Sequence, residues 1–301
     1  MAAGDRVTAP GHIQYGDELL LGPGTPFRWR TLSGWEELPA LDSGSVNRSD
    51  AHGSYPGRLL AQPRTITVDD VIVRAPAATI GATLRALNAA TAVADDELPL
   101  VVWLDDRGPL LVGARVLRRA VPVGLGYRVG TITGAAIQWE ASDPRRYGLV
   151  EQQVETQLPM AEAGLDWHLD PGPEHLAYPL VFGEPGSTGT VATLNEGDAI
   201  THPLITFRGP VELPSITNLR TGDTLEYDIE LAADDTLLVD TAAGTVTLNR
   251  TASRLYTATA RSVPENTFTL APGTTALTFR AAPGSADPRA SCSIRWRSAY
   301  W

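Results

Sequence analysis

The residues best equipped for chemistry are bunched at Asp166-Trp167-His168-Leu169-Asp170, with Glu174 and His175 close behind. Two imidazoles and three carboxylates within ten residues could ligate a hard or borderline cation. Their spacing fits no zinc or EF-hand pattern, and Pro171 and Pro173 break any helix that would gather the side chains on one face. A solvated loop between strands accounts for the same residues, so neither a metal nor any other cofactor is expected.

Four further carboxylate groups stand out: Asp69-Asp70, Asp95-Asp96-Glu97, Asp105-Asp106 and Asp234-Asp235. Each falls where a strand or helix should end, and Asp is favoured there because its side chain bonds nearby backbone N–H groups. Glycosidase-type acid–base work needs two carboxyls facing each other across a cleft, which adjacency does not supply. Nucleophile motifs are also missing. Gly53-Ser54-Tyr55-Pro56-Gly57 does not fit a nucleophile elbow. Gly124, Gly126 and Gly130 are misspaced for a dinucleotide loop and lie in a strand-like stretch, where glycine marks a bulge. All 24 basic residues are Arg, so Schiff-base and phosphate-loop lysine chemistry is excluded. The single cysteine, Cys292, reads as a small core residue. No catalytic, cofactor-binding or metal residue is assigned.

The elements that carry these residues are short strands. Gly (28) and Pro (23) punctuate the chain, separating segments rich in Val, Ile, Leu, Thr and Tyr. In 223–231, Leu225, Tyr227, Ile229 and Leu231 alternate with Glu226, Asp228 and Glu230, which predicts one half-buried strand. Strands are also expected over 65–73, 101–104, 110–116, 274–280 and 292–297. Ala242-Ala243-Gly244 should turn a hairpin between 237–239 and 245–248, its glycine supplying positive φ. Helical spacing of Ile80, Leu84, Leu87 and Ala90 predicts one helix over about 76–94. The composition shift near 144–148 divides the chain into a β-rich domain with a helix, 1–148, and an all-β sandwich, 149–301. The class is therefore mainly β. Most of the seven Trp (29, 35, 103, 139, 167, 296, 301) fall in apolar-alternating strands and read as core. Tyr300-Trp301, at the chain's end, should either close the second sandwich or meet a neighbour.

The 301 residues carry 24 basic against 35 acidic side chains, a net charge of −11. Nucleic-acid wrapping depends on cationic side chains, so this balance argues against it. No stretch has the length and apolarity of a spanning helix, and the first thirty residues show no signal-peptide pattern. A protein made in the cytoplasm, without membrane insertion, is expected.

Several landmarks follow one another in a characteristic order. They begin with Trp35, His52-Gly53, Gly57 and Arg64-Thr65-Ile66-Thr67-Val68, then the Ala-rich helix and Asp143-Pro144-Arg145-Arg146-Tyr147. Next come Asn195-Glu196-Gly197-Asp198-Ala199 with Pro203, Ile216-Thr217-Asn218 and Thr221-Gly222. Asp240, Gly244-Thr245-Val246 and a Trp-containing last strand complete the set. This ordered set resembles the distal tail protein family of long-tailed bacteriophages, the siphovirus-type tail components. The segment 159–173 fits no pattern of the family. The resemblance implies an N-terminal β domain with a helix that builds a hexameric ring, and a C-terminal galectin-like sandwich outside it. It places the ring in the virion, at the tail tip, between the tube and tape-measure protein and the hub that carries receptor-binding parts. DNA would pass through the ring without specific binding, and no catalysis is implied. Six copies at −11 would carry −66, and an acidic channel would repel phosphates. Two rivals of other classes stand beside this reading. One is a carbohydrate- or receptor-binding sandwich recognising a host-surface glycan through surface Trp. The other is a hydrolase using carboxylates of 166–175.

Overall fold

The computed structural model describes residues 3–161, 186–285 and 287–301. The chain divides into two compact units, one comprising Met1–Leu149 with Ala299–Trp301, the other Val150–Ser298. The described residues are predominantly β, with one α-helix among them.

The first unit is built on an antiparallel sheet. Its order is Leu19–Leu21, His12–Tyr15, Leu98–Trp103, Pro109–Ala120, Thr131–Ala141, Arg64–Arg74, Phe27–Arg28. Alternation in Arg64–Arg74 changes phase midway: Ile66 and Val68 are buried, then Val71 and Val73, with Asp69 and Asp70 both exposed between them. The register against Thr131–Ala141 slips there, and Asp70 takes φ +51°. Asp69-Asp70 thus occupies a β-bulge inside a long strand, not a strand end. An extra residue is the device that returns the same strand face to the core after a register change.

The helix spans Ile80–Ala90, shorter than the 76–94 expected. Pro76 opens a turn instead, its carbonyl accepting from the N–H groups of Thr79 and Ile80. Ile80 and Leu87 enter the sheet's core. At the other end, Arg119 Nη1 donates to the carbonyls of Asn88 and Thr91, satisfying acceptors that a helix terminus leaves open. Residues 124–130, expected as a bulged strand, form the 3-10 turn Leu125–Val129 between two long strands. Its glycines serve turn geometry. Ala299–Tyr300 pairs with Arg146–Gly148, so the last residues extend the first unit's sheet and do not close the second sandwich.

The second unit contains a six-stranded and a four-stranded antiparallel sheet. The larger runs Gln152–Gln157, Ser291–Trp296, Leu204–Arg208, Thr236–Asp240, Thr245–Leu248, Ala252–Ser253. The smaller runs Thr190–Asn195, Gly273–Arg280, Ser215–Asn218, Thr224–Glu226. Both contribute to one core, where Phe207 of the first meets Phe279 of the second at 5.8 Å between ring centroids. The 242–244 hairpin forms, with Asp240 Oδ1 accepting from the N–H groups of Ala242 and Ala243. Cys292 is fully buried, and that burial pushes its thiol pKa up. This Cys is packing, not reactivity.

The single strand expected over 223–231 is two pieces. Thr224–Glu226 pairs with Ser215–Asn218, and Glu230–Leu231 pairs with Val211–Glu212. Between them the Tyr227 and Asp228 N–H groups turn to the carbonyls of Pro214 and Thr257. Glu226, expected on a wet face, is buried because residues 259–263 run along it. Its carboxylate is met by Arg261 Nη1 at 2.8 Å and Thr259 Oγ1 at 2.8 Å.

Candidate interaction arm

Residues 36–62 leave the first unit's sheet and return to it as a nested hairpin. Leu41–Asp42 pairs with Leu60–Ala61, and further out Val46–Asn47 pairs with Ser54–Tyr55. From 40 to 60 every residue is exposed except Gly57, which is half-buried. Yet the hairpin carries Leu41, Val46, Tyr55, Leu59 and Leu60 in water, Val46 at 66% and Leu59 at 63% exposure. Arg48 stacks over the Tyr55 ring at 4.9 Å, but none of the described residues covers the aliphatic side chains. A two-stranded ribbon with no third layer is marginal by itself. Apolar side chains displayed on such a ribbon mark a surface that is covered on association.

The root of the arm is rigid by contrast. Trp35, just before it, and Arg64, just after it, are both buried. Arg64 Nη1 donates to the carbonyls of Gly34, Trp35 and Glu37 at 2.9, 2.9 and 2.8 Å, and Nε donates to Pro144 at 2.7 Å. Arg64 therefore ties the outgoing chain, the returning chain and the 143–147 segment together. Burial, reinforced by the nearby Arg146 charge, draws the Arg64 guanidinium pKa down to about 10, against the pull of Glu36 and Glu37.

A second layer of ion pairs braces this root. Arg146 Nη1 meets Glu36 Oε1 at 2.9 Å, its guanidinium lies 5.8 Å from the Trp35 ring, and Nη2 donates to the Trp301 carbonyl. Arg107 bridges Glu36 and Asp105, holding the Asp105 carboxyl at about 2 by direct hydrogen bonds. Asp143 accepts from Arg145 Nη2 at 2.7 Å and from the Tyr147 hydroxyl at 2.6 Å. Burial pushes that carboxyl up, but these donors outweigh it and leave the pKa lowered. The motif Asp143-Pro144-Arg145-Arg146-Tyr147 is thus a structural clamp.

The other sequence candidates do not gather into a site. The group 166–175 lies outside the described residues. Glu97 Oε1 accepts from the Ser142 N–H and hydroxyl, both at 2.7 Å, and Asp235 accepts from Asn249 Nδ2 at 2.8 Å. Among the described residues no three His, Cys, Asp or Glu side chains are grouped to hold a metal. The second unit carries a polar groove of about 740 Å³ lined by Glu155, Thr190, Arg208, Arg289 and Ser291. None of its described lining residues is aromatic.

Charge is divided unevenly. The first unit has 15 Arg against 16 carboxylates, a net −1. The second has 9 Arg against 19 carboxylates, a net −10. An acidic lumen does not follow for a channel lined by the first unit alone.

Residues 196–300 match the family described as siphovirus-type tail component, C-terminal domain. The fold is similar to that of SPP1 Dit from phage SPP1, described as a paradigm of hub adsorption apparatus in Gram-positive infecting phages. The TM-score is 0.65 at 13% identity, covering 96% of this chain and 99% of that one. It is also similar to a chain of the phage P2 baseplate in its activated, Ca-containing conformation, with TM-score 0.50 and 10% identity over 94% and 97% of the two chains. No curated protein matches the chain in sequence.

Proposed function

We propose, from the premise that residues 196–300 belong to the siphovirus-type tail component family and that the chain has the fold of SPP1 Dit, a distal tail protein, that this protein builds the ring at the tip of a phage tail. Its work is structural and non-enzymatic. Six copies of the first unit close into a ring joining the tube and tape-measure end to the tail hub. The second unit is a galectin-like sandwich. DNA crosses the ring through a channel and is not held by sequence-specific contacts.

The arm carries this reading. Ring closure needs a heterologous interface, one surface of a protomer fitting a different surface of the next. An apolar hairpin, exposed along its length and fixed at its root, is suited to lie across a neighbouring copy. Rigid roots lower the ordering cost of such an interface. Sedimentation velocity and native mass spectrometry of the purified chain should show a closed hexamer. A protein that stays monomeric, alone and beside its tube and hub partners, would refute the ring.

The carbohydrate-binding reading places a glycan on the second unit. Glycan-array binding by the full chain that persists when arm-dependent assembly is lost would favour it.

A further inference from the structure

One end of the first unit differs in charge from the rest of this acidic protein. Residues 71–94 and 116–139 contain five Arg (74, 85, 118, 119 and 128) and no Asp or Glu, with Asp69-Asp70 of the bulge bordering them. The register brings the two segments together: Arg74 pairs with Thr131, and Arg119 with Ile137. The helix and the 3-10 turn meet there as well. The Ala75 N–H donates to the Gly130 carbonyl at 3.0 Å, and a Cβ built on Gly81 would lie 3.5 Å from the Tyr127 hydroxyl and 3.9 Å from Arg85 Nη1. Of these arginines, Arg119 serves the helix end. Arg74, Arg85, Arg118 and Arg128 are exposed and have no carboxylate partner among the described residues.

The turn joining the two strands at this end carries an apolar tip. Val123, Leu125 and Val129 are 68%, 88% and 76% exposed, on a turn whose Tyr127 packs against the core. Aliphatic side chains held out on a rigid base gain free energy only when a partner desolvates them. Arginines around an apolar centre are the composition of a protein interface. A nucleic-acid backbone would use the cations and leave the tip in water.

We propose that this end is a docking face for a second, different protein of the tail, one that presents an apolar recess rimmed by Asp and Glu. Leu125 enters the recess, while Arg118 and Arg128 meet its carboxylates and steer the approach. The inference rests on the proposed function only in taking its partner from the assembled tail.

The test uses the full-length chain with p-benzoylphenylalanine at position 125, assembled into phage particles and irradiated. The expected product is a cross-link to another virion protein, the linked peptide being flanked by Asp or Glu. Combining Arg118→Glu with Arg128→Glu should lower its yield at least about tenfold, while the ring's mass by native mass spectrometry stays unchanged. A cross-link to a second copy, a cross-link to DNA, or no cross-link from chains that are present in particles would each overturn the docking face and leave the ring standing. Absence of the chain from particles would overturn the proposed function and this inference together.

Discussion

Arg64 Nη1 donates to the Trp35 carbonyl at 2.9 Å, joining two residues that flank the whole arm in sequence. One buried cation closes a loop of nearly thirty residues, and its neighbouring bonds to Gly34, Glu37 and Pro144 leave the root little freedom. Hydrogen bonds from a charged donor are stronger than neutral ones. Burial also makes their loss costly, because each abandoned carbonyl would need a new partner.

Arg64→Ala should therefore destabilise the first unit by about 3 kcal/mol or more. For a unit of this size that is a fall in Tm of about 6–12 °C, measurable by circular dichroism. Arg64→Lys should recover little, since an ammonium cannot reach Pro144 and the arm root together with the geometry of a guanidinium fork. Unchanged melting in both variants would show that the arm root is held by something else.

The arm itself should behave in the opposite way. Val46→Ser combined with Leu60→Ser removes apolar surface that is exposed in the single chain, so the melting of the monomer should move by less than about 0.5 kcal/mol. Assembly should fail, because that surface is what a neighbour would bury. Analytical ultracentrifugation of the double variant should give a monomer where the parent chain gives a ring. A ring that survives the double substitution would remove the arm from the interface.

Arg64-Thr65-Ile66-Thr67-Val68 shows its alternation in the sequence, as do the 242–244 turn and the burial of Cys292, since each follows from local periodicity or turn chemistry. The bulge at Asp70 is harder to see: period-2 reading finds apolar residues at 66, 68, 71 and 73, but not which backbone absorbs the odd one. Glu226 looks solvent-facing by its neighbours, and only the distant chain 259–263 buries it. The arm has no periodic signal because, among the described residues, nothing covers either of its faces. Its one trace is Leu59-Leu60 standing among Gly, Ser, Pro and Arg. The uneven charge emerges only once the chain is divided into its two units.

Acid should loosen the clamp at Asp143. The Asp143 carboxyl is held below its ordinary 3.8 by Arg145 and Tyr147, which outweigh its burial. A depressed folded pKa contributes stability above the unfolded value, and that stability is lost as pH falls through the folded one. The parent chain should lose stability from about pH 4 downward, and Asp143→Asn should flatten that slope while lowering stability at neutral pH. The side chain keeps 38% of its surface in water, which screens the pair, so the slope is the informative readout. Urea midpoints collected from pH 2 to 7 would measure it, and parallel curves for the two proteins would dismiss the clamp.

Two glycines, Gly34 at the root of the arm and Gly53 at its far turn, separate root from tip. Gly34 has φ +76°, and a Cβ built on it would lie 1.8 Å from the Thr65 carbonyl oxygen, a backbone atom with no rotamer to escape into. Gly34→Ala must both strain its own φ and push the returning strand, Arg64 with it, away from the outgoing carbonyls that Arg64 holds, so a loss of about 3 kcal/mol or more is expected. Gly53, at the far turn, has φ +95° and nothing within 4 Å. Gly53→Ala strains only a ribbon that can open without the core, and global melting should shift by less than about 1 kcal/mol. If the root sets the arm's direction, Gly34→Ala should also abolish assembly at temperatures where the unit is still folded, and Gly53→Ala should assemble. Equal effects from the two substitutions, in melting or in assembly, would mean that root and tip form one mechanical element, and the rigid root assigned to Arg64 would have to be given up.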